Sequence, residues 1–84
     1  MTSFPKIKSV SPLENQRLRV KFSTGTQKIY DCTTLLDAPP FTPLKNKGFF
    51  KQVHVDQNGF GVVWNDDIDL SESELWLHGT EVSP

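Results

Sequence analysis

The stretch Val53 to Gly79, V-H-V-D-Q-N-G-F-G-V-V-W-N-D-D-I-D-L-S-E-S-E-L-W-L-H-G, decides the fold. It places a hairpin, a short acidic turn and a capped helix in direct succession. The hairpin signal is Asn58-Gly59. Both central residues of a tight type I′ turn need positive φ, which Gly adopts freely and Asn more readily than most. A two-residue loop there pairs Gln57 with Phe60, Val55 with Val62 and Val53 with Trp64. Side chains alternate along a strand, so this register collects Val53, Val55, Phe60, Val62 and Trp64 on one face, the predicted core. His54, Asp56, Gly61 and Val63 fall on the other.

The helix that follows carries its own start and stop. Ser71 and Glu74 have the S-x-x-E spacing of a capping box, with Leu70 and Leu75 at the staple positions either side of the cap. Glu72 puts negative charge where the helix dipole favours it. His78 lies in the last turn, and Gly79 is expected to supply a left-handed stop. So short a helix is not stable alone and depends on packing, with Leu75 and either Trp76 or Leu77 turned to the sheet.

Upstream, Ile7 to Leu13 reads as an irregular or edge strand, since Pro12 is tolerated there. Arg17 to Phe22 alternates Leu18, Val20 and Phe22 with Arg17, Arg19 and Lys21, a strand with one buried and one solvated face. Ser23-Thr24-Gly25-Thr26 forms the turn, and Thr26 to Cys32 returns as a third strand. Pairing Val20 with Ile29 keeps apolar residues together and sets Lys21 beside Lys28 and Arg19 beside Tyr30 on the opposite face. In the middle, Thr33 or Thr34 caps a helical turn carrying Leu35 and Leu36, which Ala38-Pro39-Pro40 ends. Phe41, Pro43 and Leu44 then read as an extended link. Asn46 caps Lys47 to Gln52, with Phe49 or Phe50 inward. The expected whole is one α+β domain over residues 1–84. It has a mainly antiparallel sheet of five or six short strands, two or three short helices, an ordered core over 7–79 and a loose tail over 80–84.

Eighty-four residues leave room for one core. No apolar run approaches the roughly 18 residues of a membrane span. The N-terminal M-T-S-F-P-K-I-K lacks the apolar segment of a secretory signal. Cys32 stands alone, which gives no disulfide framework and no Cys-based zinc site, and points to a reducing, cytoplasmic setting. The formal charge of −1 is unevenly distributed. Residues 1–51 hold all nine Lys and Arg against three acids, a balance of +6, whereas residues 52–84 hold seven acids and no Lys or Arg, a balance of −7. The expectation is that the halves fold against each other and partly neutralise. The alternative is a polar molecule with two working faces.

The strand order, the P-F-T-P-L link, G-F-F-K-Q-V-H-V-D and G-F-G-V-V-W-N-D-D-I-D-L-S-E-S-E-L together resemble the bacterial domain of unknown function 2442 family. The resemblance runs from about Ile7 to Gly79. Trp64 with Asp69-Leu70-Ser71 and Glu74-Leu75 is its most specific part, and Phe22-x-x-Gly25 and Asp31 also fit. It implies a small α+β domain and, by similarity to some members, a partner protein encoded beside another short protein, as in a toxin–antitoxin pair. Other members continue into a DNA-binding helix-turn-helix, which has no counterpart in this sequence. No catalytic residue carries over.

Asp66, Asp67, Asp69, Glu72 and Glu74 form the densest acidic cluster, yet the calcium-loop spacing fails, because Leu70 or Glu72 falls where glycine is required. Carboxylates also gather at turns and helix starts for structural reasons. Asp69, between Ile68 and Leu70, is expected to accept backbone N–H bonds and fix the helix entry. Cys32, His54 and His78 have no spacing that supports a nucleophile with a base. The best candidate surface is the basic sheet face of Arg17, Arg19, Lys21 and Lys28 with Tyr30, where cations would meet acidic or phosphate groups and Tyr30 could stack a base. The expected function is a non-enzymatic protein-interaction module using that face or a strand edge, with no cofactor and no membrane partner; self-association stays open. A nucleic-acid-binding accessory is the alternative. A divalent-metal-dependent hydrolase using Asp66, Asp67 and Asp69 is the third.

Overall fold

Alternation in R-L-R-V-K-F produces strand β2 (Arg17–Phe22), whose Leu18, Val20 and Phe22 are fully buried. The computed structural model describes residues 4–82. Around β2 lie β1 (Ile7–Leu13), β3 (Gln27–Asp31) and the short β7 (Thr80–Glu81), in the antiparallel order β1-β2-β3-β7. Pro12 sits on the edge strand, as its missing N–H demands. A second antiparallel sheet takes β4 (His54–Val55), β5 (Gly61–Asn65) and β6 (Ile68–Ser71). The expected single sheet of five or six strands is therefore two sheets of four and three. The two-residue β7 is too short to leave a periodic signal. Thr80 and Glu81, expected in a loose tail, pair with Ile29 and Lys28, and Val82 N–H donates to Gln27 O; the rest of that tail lies outside the described residues.

The Val55–Val62 pairing holds, but the turn differs. Asp56 N–H donates to Gly61 O, so the loop is Gln57 to Phe60. One Asp56 carboxylate oxygen accepts from Asn58 N–H and Phe60 N–H at 2.9 and 3.0 Å. That side chain replaces the type I′ geometry. Only Gly59 needs positive φ, at 75°, while Asn58 does not. A four-residue loop keeps the register of a two-residue one. It removes Phe60 from the strand, and Phe60 is 49% exposed under the Lys6 ammonium rather than part of the core. Gly59 also carries the junction between sheets: its carbonyl accepts from Ile7 N–H at 2.8 Å, and a Cβ there would lie 2.9 Å from Ile7 O.

The β2–β3 turn is one residue shorter than expected. Phe22 N–H bonds Thr26 O, and Gly25 takes φ 92° in a loop of Ser23, Thr24 and Gly25. Val20 consequently pairs with Lys28, Leu18 with Tyr30 and Arg19 with Ile29. A one-residue slip exchanges the faces of a strand. Tyr30 and Lys28 turn inward, and Ile29 turns out.

Between the sheets one apolar cluster joins Leu18, Val20, Phe22, Tyr30 and Cys32 to Val62, Trp64, Ile68, Leu70 and Leu75. Trp64, 4% exposed, donates its indole N–H to Phe50 O at 2.9 Å, which satisfies the polar end of a buried ring. Phe50 comes from the one-turn helix α1 (Lys47–Phe50), whose N-cap Asn46 accepts from Phe49 N–H as expected. The cap of the preceding 3-10 turn, Cys32–Leu35, is Asp31 rather than Thr33 or Thr34. The link expected to be extended forms a second 3-10 turn, Thr42–Lys45, that buries Leu44.

Helix α2 (Glu72–His78) begins where the sequence places it, with Ser71 Oγ accepting from Glu74 N–H at 3.2 Å. The reciprocal half of the box is absent among the described residues because Glu74 is engaged elsewhere. Leu70 and Leu75 are both buried. Gly79 is extended, not left-handed (φ −77°, ψ 154°). It is glycine for space: a Cβ would lie 2.5 Å from Leu75 O and 3.1 Å from Lys28 Cβ.

Gly61 offers a direct test of sheet packing, since a Cβ there would meet Leu70 O at 2.6 Å and backbone cannot swing aside. Gly61→Ala is expected to cost about 2–3 kcal/mol as an overpacked site. Ser71→Ala should cost about 1 kcal/mol as a lost cap. Urea denaturation that ranks Ser71→Ala as the worse variant would contradict this packing.

Candidate functional site

The outer face of the four-stranded sheet displays three cross-strand rows. Lys21 lies between Ser9 and Gln27, Arg19 between Ser11 and Ile29, and Arg17 between Leu13 and Asp31. Arg17 and Arg19 are exposed and Lys21 is half-buried. Alternation puts these cations about 7 Å apart along β2. Arg17 Nε donates to Glu14 O, and none of the three is ion-paired among the described residues.

The other two expected members of this face are not on it. Lys28 passes inward, lies over the Trp76 ring at 4.2 Å and donates its ammonium to Trp76 O near the C-terminal end of α2. A cation there meets the negative end of the helix dipole. Tyr30 is buried and donates its hydroxyl to Glu74 Oε2 at 2.8 Å. Burial first, and then the Glu74 hydrogen bond and charge, raise its pKa. The slipped register removes the one aromatic that could stack a base, so the face is cationic and hydroxyl-bearing with Ile29 at its centre.

A cleft of about 440 Å³ opens where β3, the Cys32–Leu35 turn and α2 meet. Arg17, Tyr30, Asp31, Glu74 and His78 line it. His78 Nε2 stands 3.9 Å from Glu74 Oε1, which extends the Tyr30–Glu74 contact to the helix end. Sequence reasoning assigned Glu74 and His78 to capping and left this grouping out, because no local spacing joins residue 30 to residue 74. Asp31 accepts from the Thr33 hydroxyl and N–H, which with the nearby Arg17 charge hold its carboxyl below the usual range.

The acids at the other end do not converge. Among the described residues no three His, Cys, Asp or Glu side chains form a metal-holding group. Asn65 Oδ1 accepts from Asp67 N–H and Ile68 N–H, which shapes the β5–β6 turn and leaves Asp66 and Asp67 exposed. Asp69 is exposed opposite Val63 and takes none of the expected backbone N–H bonds among the described residues. Ser71 and the Glu72 N–H to Phe60 O bond hold the helix entry instead. Cys32 is fully buried, and burial, with Asp31, pushes its thiol up to about 12. It stays protonated at neutral pH, a packed residue rather than a nucleophile. His54 is exposed beside Gln52 O.

The expected neutralisation between halves does not occur by direct pairing. The Lys–acid pair among the described residues is Lys45–Asp37 at 3.1 Å, within residues 1–51. Among the described residues no acid of the second half forms an ion pair with a Lys or Arg of the first.

Residues 7–81 match the family described as Protein of unknown function (DUF2442). The chain belongs to this family. The match covers nearly the whole domain, both sheets and α2 included. No curated protein and no solved structure gives a significant match to this DUF2442 chain. No helix of the described residues is long and apolar enough to cross a membrane.

Tyr30 and Cys32 make stability fall at high pH. Below about pH 9 both are protonated in the folded and unfolded chain, so their contribution is complete. As pH rises from about 9 toward 12, the unfolded chain releases these protons first, and stability is lost. Thermal unfolding across that range should fall less steeply for Tyr30→Phe/Cys32→Ala than for the parent; equal slopes would contradict the assignment. Millimolar Mg²⁺, Ca²⁺ or Mn²⁺ should leave the melting temperature unchanged, because a bound ion would raise it.

Proposed function

We propose that this chain is a non-enzymatic interaction module of the bacterial cytoplasm. Its outer sheet face receives an acidic surface of another small protein, in the manner of an antitoxin-like partner that neutralises a protein encoded beside it. The observation that supports this is the row Arg17, Arg19 and Lys21, held on a rigid strand and without ion pairs among the described residues. The strand fixes the spacing of three cations without ordering a loop, which lowers the entropic cost of docking. Ser9, Ser11, Gln27 and Ile29 around them supply hydroxyls, an amide and one apolar contact. The single free, buried Cys32 agrees with a reducing setting.

A protein partner is favoured over nucleic acid because the cross-strand rows of this face contain no aromatic side chain, and single-strand binders combine cations with stacking platforms. Among the described residues no three His, Cys, Asp or Glu side chains gather as a divalent ion would need, and the Cys32 thiol is buried.

Co-expression with the protein encoded by the adjacent reading frame tests the reading. The pair should copurify, and Arg17→Glu/Arg19→Glu/Lys21→Glu should reduce capture at least about tenfold, a loss of about 1.4 kcal/mol or more. The variant's melting temperature should stay within a few degrees of the parent. Undiminished capture by the triple variant removes this face from the function. Salt-steep affinity for single-stranded nucleic acid, weakened by the same variant, would move the reading to nucleic acid.

A further inference from the structure

The row of cations and the acid-rich turn belong to different layers of the molecule. Arg17, Arg19 and Lys21 project from β2 away from the core, whereas Leu18, Val20 and Phe22 project into it. The β5–β6 turn carrying Asp66 and Asp67, with Asp69 just beyond, belongs to the sheet on the far side of that core. Packed sheets stand about 10 Å apart. Physiological salt screens exposed charges beyond about 8 Å. Neither group can therefore neutralise the other within one chain, and no ion pair joins them among the described residues. Glu81 shares a shallow groove with Arg19 but does not pair with it.

Both groups are also presented rather than consumed. The Asn65 side chain closes the β5–β6 turn by accepting two backbone N–H bonds, so the turn geometry uses neither the Asp66 nor the Asp67 carboxylate. Lys28, in contrast, is turned inward and bonded to Trp76 O. Arg17, Arg19 and Lys21 thus lie on the outer face of one layer, Arg17 beside Asp31, and Asp66, Asp67 and Asp69 are exposed at one end of the other.

We propose that copies of this chain associate head-to-tail, the Asp66–Asp69 turn of one copy docking on the Arg17, Arg19 and Lys21 row of the next. This deepens the preceding reading, for it rests on the same face being a docking surface and names a second copy as one of its occupants. Each copy offers one face and one turn, so the contact is heterologous and builds a closed ring or an open chain according to the rotation between copies. Like charges repel in every other pairing of these two surfaces, which sets the orientation.

Sedimentation velocity on the purified chain alone tests it, without any other protein present. At about 0.02 M salt, where the screening length is about 20 Å, the mean sedimentation coefficient should rise with protein concentration. At about 0.5 M salt, where it is about 4 Å, the chain should sediment as a monomer. Arg19→Glu and Asp67→Lys should each weaken association at least about tenfold. Mixing these two variants should restore it, because the altered face of one then matches the altered turn of the other. Circular dichroism confirms that each variant is folded. A monomer at low salt at every concentration overturns the proposal, as does association that Asp67→Lys leaves intact. Either result leaves the capture of a separate partner to its own experiment, which uses the triple face variant and not the turn.

Discussion

The register between β2 and β3 is the constraint on which the rest depends. Closing the turn with three residues instead of four sends Lys28 and Tyr30 inward, toward α2. Both then find a partner on that helix, Lys28 at Trp76 O and Tyr30 at Glu74. A hydrogen bond to a charged group is worth about 1.5–3 kcal/mol net, and an unmet buried group costs at least as much. The register and the position of α2 therefore stabilise each other, and a helix of seven residues is held by a sheet it could not outlast alone. Phe22 against the Trp76 ring, edge to face at 5.0 Å, and the fully buried Leu75 complete the attachment.

The same choice shapes the exterior. With Lys28 and Tyr30 withdrawn, the outer face keeps Arg17, Arg19 and Lys21 and gains Ile29. With the core between the layers, no ion pair joins a Lys or Arg of the first half to an acid of the second among the described residues. A fold that leaves complementary charge apart creates a field that acts on other molecules, chiefly on their orientation and rate of approach. The cleft that brings Tyr30 and Asp31 to Glu74 and His78 serves first to tie α2 to β3.

Asp56, Asn65, Asp31 and Asn46 show how much of this small domain is organised by short polar side chains accepting backbone N–H groups. Each closes a turn or starts a helical segment. Their use explains why some acids are structural while Asp66, Asp67 and Asp69 remain in solvent. Sequence spacing cannot separate the two kinds, because an Asp that accepts two N–H bonds and an Asp that accepts none look alike until the turn is closed.

Local signals determined what local physics decides. The alternation of Arg17–Phe22, the reversal near Asn58-Gly59 with Val55 opposite Val62, the Ser71 cap and the burial of Trp64 and Leu75 were all legible, since each depends on residues close in the chain. The resemblance to the DUF2442 family, carried by motifs from about Ile7 to Gly79, agrees with the family match over residues 7–81. Which face of β3 points inward, the pairing of the two-residue strand β7, and the meeting of residue 30 with residue 74 were decided only by tertiary structure. An inward Lys or Tyr is unfavourable by itself and becomes favourable once a distant helix supplies its partner, and that partner leaves no mark on the strand's own sequence.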